Sequence, residues 1–322
     1  MRQTGLSRRR FVAASGAALG AAVFADRRGA AAAGSNSGKA GPFRYSLNTS
    51  TIRGQKLGLE KEIDTAAEAG YDAIEPWVST IQEYVKAGGK LADIRKRITD
   101  RGLTVEGAIS FTSWIVDDDV RRTEAVEQLK REMDLLAQIG GKRIAAPPVG
   151  ANGGDAPILD LAKVAERYRA ILDVGDQTGV TPGLELWGPS KNLHRLGQCM
   201  FVLVESAHPK ACMVGDVYHI FRGGSDFAGL KMLSGAAMPL MHMNDYPADP
   251  PRERLTDRDR VMPGDGVAPL PQILHWLREN GSRAVLSLEL FSQKYWEKDA
   301  LEVARTGLAK MKNAVEQSLA GT

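Results

Sequence analysis

Two hydrophobic rhythms alternate along the chain from residue 43 onward. Short, nearly unbroken apolar runs occupy residues 43–48, 71–75, 103–109, 143–146, 181–186, 211–217, 238–244 and 284–290. Between them lie longer segments with apolar residues three and four apart, as in Val126, Leu129, Met133 and Leu136. The runs predict strands buried on both faces, and the spaced segments predict amphipathic helices. Helices are expected over 57–69, 91–101, 121–139, 158–178, 193–207, 226–233, 270–280 and 300–319. Several end at a glycine (Gly70, Gly102, Gly140, Gly179, Gly281), the residue that most readily takes a left-handed cap. Eight strand–helix units in one series predict an α/β fold, a (β/α)8 TIM barrel, over residues 43–322. A doubly wound sheet is the other arrangement of such units, but no Gly-x-Gly-x-x-Gly follows the first strand.

Residues 1–33 follow another pattern. Ser7-Arg8-Arg9-Arg10-Phe11-Val12 leads into an Ala/Gly-rich apolar run over 12–25, with small residues at 30–33. The order of charge, apolar run and small residues is that of a secretory signal, and the arginine pair resembles the twin-arginine type. It implies a partner in the twin-arginine export machinery and a periplasmic or extracellular location. The run is too short for a good membrane span, and no cysteine lies near it to carry a lipid, so no stable membrane anchor is expected. Residues 34–42 read as a Gly/Ser-rich linker.

The leader also explains the charge. The 322 residues carry 42 bases and 39 acids, a formal +3. Residues 1–33 hold six of the arginines and one acid, which leaves 36 bases against 38 acids. The remainder therefore gives no support for binding nucleic acid. With 43% apolar and 25% charged residues the chain is neither disordered nor a multi-span membrane protein. The two cysteines, Cys199 and Cys212, exclude a disulfide scaffold; both fall in core segments and are expected as buried thiols.

Function in such a barrel gathers where the strands end. Those ends carry Glu75-Pro76-Trp77, Glu185-Leu186-Trp187, Asp216-Val217-Tyr218-His219, His242-Met243-Asn244-Asp245 and Glu289-Leu290-Phe291. A carboxylate closing an apolar run needs a reason. Strands five to eight deliver Glu185, Asp216, His242 and Glu289 to one rim. Three carboxylates and an imidazole make a hard, oxygen-rich donor set suited to one divalent ion, Mn²⁺ first, with Mg²⁺, Co²⁺ and Zn²⁺ as alternatives. Trp77, Trp114 and Trp187 are candidates to line a cleft, since sugar faces pack on aromatic rings. Glu75 is a candidate substrate contact or supporting acid. Arg258 and Arg260 fall in a polar loop that could close over substrate. His208 and His275 read as structural, and His194 is open.

This set, Glu185 / Asp216-x-x-His219 / His242 / Glu289, resembles the sugar phosphate isomerase/epimerase superfamily of xylose isomerase-like barrels. The stretch Asp257-Arg258-Asp259-Arg260-Val261-Met262-Pro263-Gly264-Asp265-Gly266 is similar to a segment common in that group. The resemblance covers about residues 43–317. It implies that Glu185, Asp216, His242 and Glu289 bind the metal, that Glu185 and Glu289 also move protons, and that His219 contacts a substrate oxygen. Glu75, Trp187 and Arg260 complete the expected substrate-binding set.

The chemistry so implied is removal of a proton next to a sugar carbonyl, with a divalent ion stabilising the enediolate. Isomerisation and epimerisation follow if the proton returns; dehydration or elimination follows if a β-substituent leaves. Ketose 3-epimerases in the group carry a second Glu six residues after the strand-five ligand, where this chain has Lys191. No Gly-rich loop with Lys-Ser/Thr is present for a phosphate, so an unphosphorylated sugar or sugar derivative is expected. The alternatives are a dehydratase or lyase on a keto-sugar, keto-glycoside or inosose, and a non-catalytic periplasmic carbohydrate-binding protein. The oligomeric state stays open, a homo-oligomer included.

Overall fold

The computed structural model describes residues 41–320. The leader and most of the linker lie outside the described residues. Within them, eight parallel strands form one sheet: β1 Arg44–Asn48, β2 Ala73–Glu75, β3 Thr104–Val105, β4 Arg143–Ala146, β5 Thr181–Glu185, β6 Met213–Asp216, β7 Leu240–Met243 and β8 Val285–Leu288. Their order is β3-β2-β1-β8-β7-β6-β5-β4. Backbone hydrogen bonds from Lys142 N to Val105 O (3.2 Å) and from Ala145 N to Ala108 O (2.8 Å) join the two ends and close the barrel. All eight strands fall inside the runs that the sequence marks. All but β4 are shorter than those runs, because the apolar run continues into buried connections.

The helices are α1 Leu59–Ala69, α2 Val78–Lys86, α3 Leu91–Asp100, α4 Asp119–Gln138, α5 Leu161–Thr178, α6 Leu196–Glu205, α7 Val217–Arg222, α8 Leu270–Glu279, α9 Gln293–Trp296 and α10 Ala300–Ala320. Apolar faces such as Leu129, Met133 and Leu136 of α4 and Val303, Leu308 and Met311 of α10 pack on the strands, and nearly the whole interior is one apolar cluster. Of the expected helices, the one over 226–233 is a 3-10 turn, Phe227–Met232. No described helix is long and apolar enough to cross a membrane. Cys199 and Cys212 are both buried and unpaired.

Two readings of the sequence need correction. His219 does not end strand six. It lies in α7, which begins directly after Asp216; the Asp216 side chain caps that helix, Oδ1 accepting from His219 N at 2.7 Å. Trp114 does not line the cleft. It is fully buried, donates from Nε1 to Pro147 O at 2.9 Å, and packs on Tyr168 with ring centroids 6.0 Å apart.

Candidate active site

At the C-terminal ends of the strands the chain places a knot of buried charge. Its acids and His242 are each held by a strand, or by the turn just after it; Arg260 comes from the long loop after β7. Strand pairing sets Asp216 beside His242 and Asn48 beside Glu75. One donor atom from each of Asp216, His242 and Glu289 lies within 4.8 Å of the others. His242 Nδ1 is 3.3 Å from Glu289 Oε2, 3.7 Å from Asp216 Oδ2 and 3.8 Å from Glu185 Oε1. Glu185 thus stands at the edge of the cluster.

Glu75 is buried behind the cluster and does not line the cavity above it. Its carboxylate sits behind the imidazole, 3.1 Å from His242 Nε2, and accepts from Ser287 Oγ (2.7 Å) and Asn48 Nδ2 (3.0 Å). A Cβ at Gly107 would stand 2.5 Å from Glu75 Oε1, so the bare glycine gives the carboxylate its room. Glu75 draws the imidazole proton to Nε2 and leaves Nδ1 aimed at the other carboxylates. Asn48 spends one amide nitrogen on two acids, Glu75 Oε2 and Glu289 Oε1, each at 3.0 Å.

Arg260 supplies the positive charge. It is 1% exposed, and Nη1 donates to Asp216 Oδ2 (2.9 Å) and Glu289 Oε2 (2.8 Å). Nη2 reaches Asp257 and lies 2.9 Å from His219 Nε2. The loop carrying it is fixed by Asp245, whose carboxylate accepts from the backbone of Tyr246, Gly264, Gly266 and Ala268. Arg258, by contrast, is exposed.

The electrostatics differ from group to group. Burial, reinforced by Glu289 and Asp216, pushes Glu185 up to about 8 against the pull of His242. Burial alone would raise Glu289 too, but His242 and Arg260 outweigh it and hold its pKa low. For His242 the order reverses: burial disfavours its charge, yet Glu289 and Glu75 lift it well above the usual imidazole value. Burial keeps His219 neutral, with its pKa down at about 4.

Above the knot lies a cavity of about 290 Å³. Its floor is Glu185, Glu289, His219, Asp257 and Arg260; its wall is Trp77, Phe111, Trp187 and Phe291. Asp216 and His242 lie beneath the floor and do not line the cavity. A groove of about 710 Å³ between α4 and α5 is larger, but it is open and its polar lining is of mixed charge, including Asp117, Arg122, Lys163 and Glu166. It contains none of the strand-end residues.

A divalent ion fits the donor set. His242 Nδ1 and Glu185 Oε2 are buried with no hydrogen-bond partner, and both belong to the cluster. Unpartnered donor atoms beside two more carboxylates are what a cation would satisfy, displacing the proton from Nδ1 as it bound. Asp216, His242, Glu289 and Glu185 would hold it.

Asn48, Asn244, Ser287, Asp257, Phe111 and Phe291 were not singled out by the sequence. Asn48 had a signal, since it too closes a strand. Lys191 is exposed and away from the cavity lining. His194 is partly exposed and also outside it, while His208 lies 3.3 Å from Asp176, and His275 3.4 Å from Glu279.

Comparison with known proteins bears on the fold and the family. The chain is 26% identical over 254 residues to an inosose isomerase of Bacillus velezensis, covering 78% of this chain and 90% of that one. It is 20% identical over 261 residues to a 3-dehydroshikimate dehydratase of Pseudomonas putida, covering 81% of this chain and 40% of the other. A crystal structure of the IolI protein with a bound zinc atom superposes with a TM-score of 0.78 at 23% identity, over 85% of this chain and 99% of that one. The sequence profile of the xylose isomerase-like TIM barrel family matches residues 63–314. The chain is an enzyme that belongs to the xylose isomerase-like TIM barrel family.

Proposed function

We propose that this enzyme is a metal-dependent isomerase of an unphosphorylated sugar derivative, working by removal and return of a proton next to a carbonyl. One observation carries the reading. Of the acids in the buried knot, Glu185 and Glu289 are the two that also reach the cavity. They have opposite tendencies, since Glu289 is held ionised and Glu185 is pushed up to about 8. Paired carboxylates whose environments drive them apart suit opposite proton roles.

Glu289 accepts the substrate proton at a carboxylate oxygen. Glu185 returns one. Arg260, neutral His219 and Asp257 orient the substrate oxygens, and the aromatic wall excludes water. A divalent ion held by Glu185, Asp216, His242 and Glu289 supplies Lewis-acid stabilisation of the developing oxyanion. Mn²⁺ is the proposed ion, because the set offers three carboxylates to one imidazole.

The substrate is unphosphorylated on this reading. Arg260 is the one basic residue in the cavity lining, and it is committed to Asp216, Glu289 and Asp257. With its charge already balanced by those carboxylates, Arg260 favours neutral substrate oxygens over a phosphate dianion. The similarity to an inosose isomerase supports a polyol ketone as substrate. Elimination by the same proton abstraction is the second reading, supported by the similarity to a dehydratase.

The test is incubation in D₂O with a panel of inososes, ketoses and keto-glycosides, with Mn²⁺ or with EDTA, followed by NMR. Metal-dependent deuterium next to a carbonyl is expected, and Glu289→Gln should reduce the rate by about 10²–10⁴-fold with folding intact. Exchange unaffected by Glu289→Gln would overturn the assignment. Sugar binding without exchange across the panel would instead favour a binding protein. The arginine-rich leader supports export by the twin-arginine route. Fractionation of cells expressing the full chain should place it outside the cytoplasm, and Arg8→Lys with Arg9→Lys should retain it inside.

A further inference from the structure

The reaction proposed above uses the cavity floor and leaves the mouth unexplained. Four aromatic rings form a continuous arc there. Centroids are 6.2 Å apart between Phe291 and Trp77, 5.1 Å between Trp77 and Phe111, and 6.1 Å between Phe111 and Trp187. Trp77 is 9% exposed, but Phe111, in the middle of the arc, is 45% exposed.

The arc is fixed rather than loose. Trp77 donates from Nε1 to Asn48 Oδ1 at 3.3 Å, and the Arg53 guanidinium lies 4.1 Å over its ring. Phe111 stands between Ser110 and Thr112, both buried, with Ser110 Oγ bonded to buried Glu132. The backbone is therefore pinned on both sides while the phenyl ring is held out over the opening. Singly exposed apolar side chains are ordinary, but this one continues the wall of a ligand cavity.

Size gives the second argument. A cavity of about 290 Å³ lies at the small end for ligand sites, enough for one sugar-sized ring. Phe111, the most exposed ring of the arc, is placed to meet a group attached to that ring on the outward side.

We propose that Phe111, with Trp77 and Trp187, forms an outer subsite for a second flat, uncharged ring, so that the substrate is a glycoside bearing a ring ketone rather than a free monosaccharide. The ligand chemistry is an apolar ring face, supplied either by an aryl group or by the C–H face of a second sugar. The proposal rests on the proposed function only for placing the first ring above Glu185 and Glu289.

Calorimetry tests it with matched probes: phenyl and methyl β-glycosides of glucose, galactose and xylose, and the disaccharide cellobiose, each with Mn²⁺ and with EDTA. For at least one sugar the phenyl glycoside should bind about tenfold tighter than the methyl glycoside, the scale of one aromatic stack with its burial. Phe111→Ala should abolish that preference by weakening the phenyl glycoside about tenfold more than the methyl glycoside, while Phe111→Trp should keep it. Cellobiose separates the sources: affinity near that of phenyl glucoside assigns a sugar face, and affinity near that of methyl glucoside assigns an aryl group. Equal phenyl and methyl affinities across the panel, no phenyl-glycoside binding at millimolar concentration, or a preference surviving Phe111→Ala would overturn the subsite. Because binding is read without turnover, the result stands apart from the deuterium experiment.

Discussion

Replacing Arg260 with methionine keeps much of the side-chain volume and removes the charge from the middle of the knot. Asp216 Oδ2 and Glu289 Oε2 then lose a donor at 2.9 and 2.8 Å, and both carboxylates stay buried. Removing one partner of a buried ion pair costs about 3–5 kcal/mol, because the remaining charge is left uncompensated. For a domain of this size that corresponds to a fall of roughly 6–20 °C in melting temperature. The stranded carboxylates are two of the atoms that would hold a divalent ion. Bound metal should therefore offset part of the loss, and a ligand at a thousand times its Kd stabilises by about 4 kcal/mol. The assay is thermal unfolding of wild type and Arg260→Met, each in EDTA and in excess Mn²⁺. A large gap in EDTA that narrows with Mn²⁺ is expected. Two results would refute the reasoning: a variant that melts with the wild type in EDTA, or a metal-induced shift no larger in the variant than in the wild type.

Two other predictions concern groups away from the site. Glu106, buried near the N-terminal ends of the strands, would be raised by burial, but hydrogen bonds from Lys142, Thr104 and Arg44 hold it at about 2. A depressed folded pKa gives stability that is present above the unfolded value near 4.5 and is lost as pH falls toward 2. Denaturant titrations from pH 6 to 2.5 should show a loss of about 2–3 kcal/mol that Glu106→Gln does not show; an equal slope in the variant would contradict this. Burial pushes the thiol of Cys199 up strongly and that of Cys212 up to about 11. Neither should react with a thiol reagent in the native protein, and both should react in denaturant.

Much of the barrel was legible because its signal is local. An apolar run followed by a three-four repeat is written within a few residues, and all eight strands appear where that pattern places them. The strand-end acids were legible for the same reason: Glu185, Asp216, Glu289 and His242 interrupt or close apolar runs that have no local use for charge. The rest depends on distant neighbours. Asn48 matters because its amide spans two acids from other strands, and Ser287 because it reaches Glu75 from the far side of β1. Nothing in either local sequence says so. Glu75 looked like a cavity residue from its position at a strand end, and only the imidazole in front of it shows that it acts from behind. The α7 boundary was hidden because Val217-Tyr218-His219-Ile220-Phe221 extends the apolar run of β6 without a break. Trp114 sits in an irregular stretch with no period to reveal which way it faces.

Asp216 has two simultaneous duties, and together they narrow what can stand at that position. One oxygen caps α7 through the His219 amide; the other meets Arg260 and Asn244 in the knot. Asparagine could keep the cap but would remove the negative charge. Glutamate would keep the charge on a side chain too long to cap in the same way. The carboxylate is also spoken for on one side, so it can offer a metal a single oxygen in a fixed direction. The start of a helix and the orientation of a ligand atom are thus decided by the same two side-chain torsions, and neither can drift without the other.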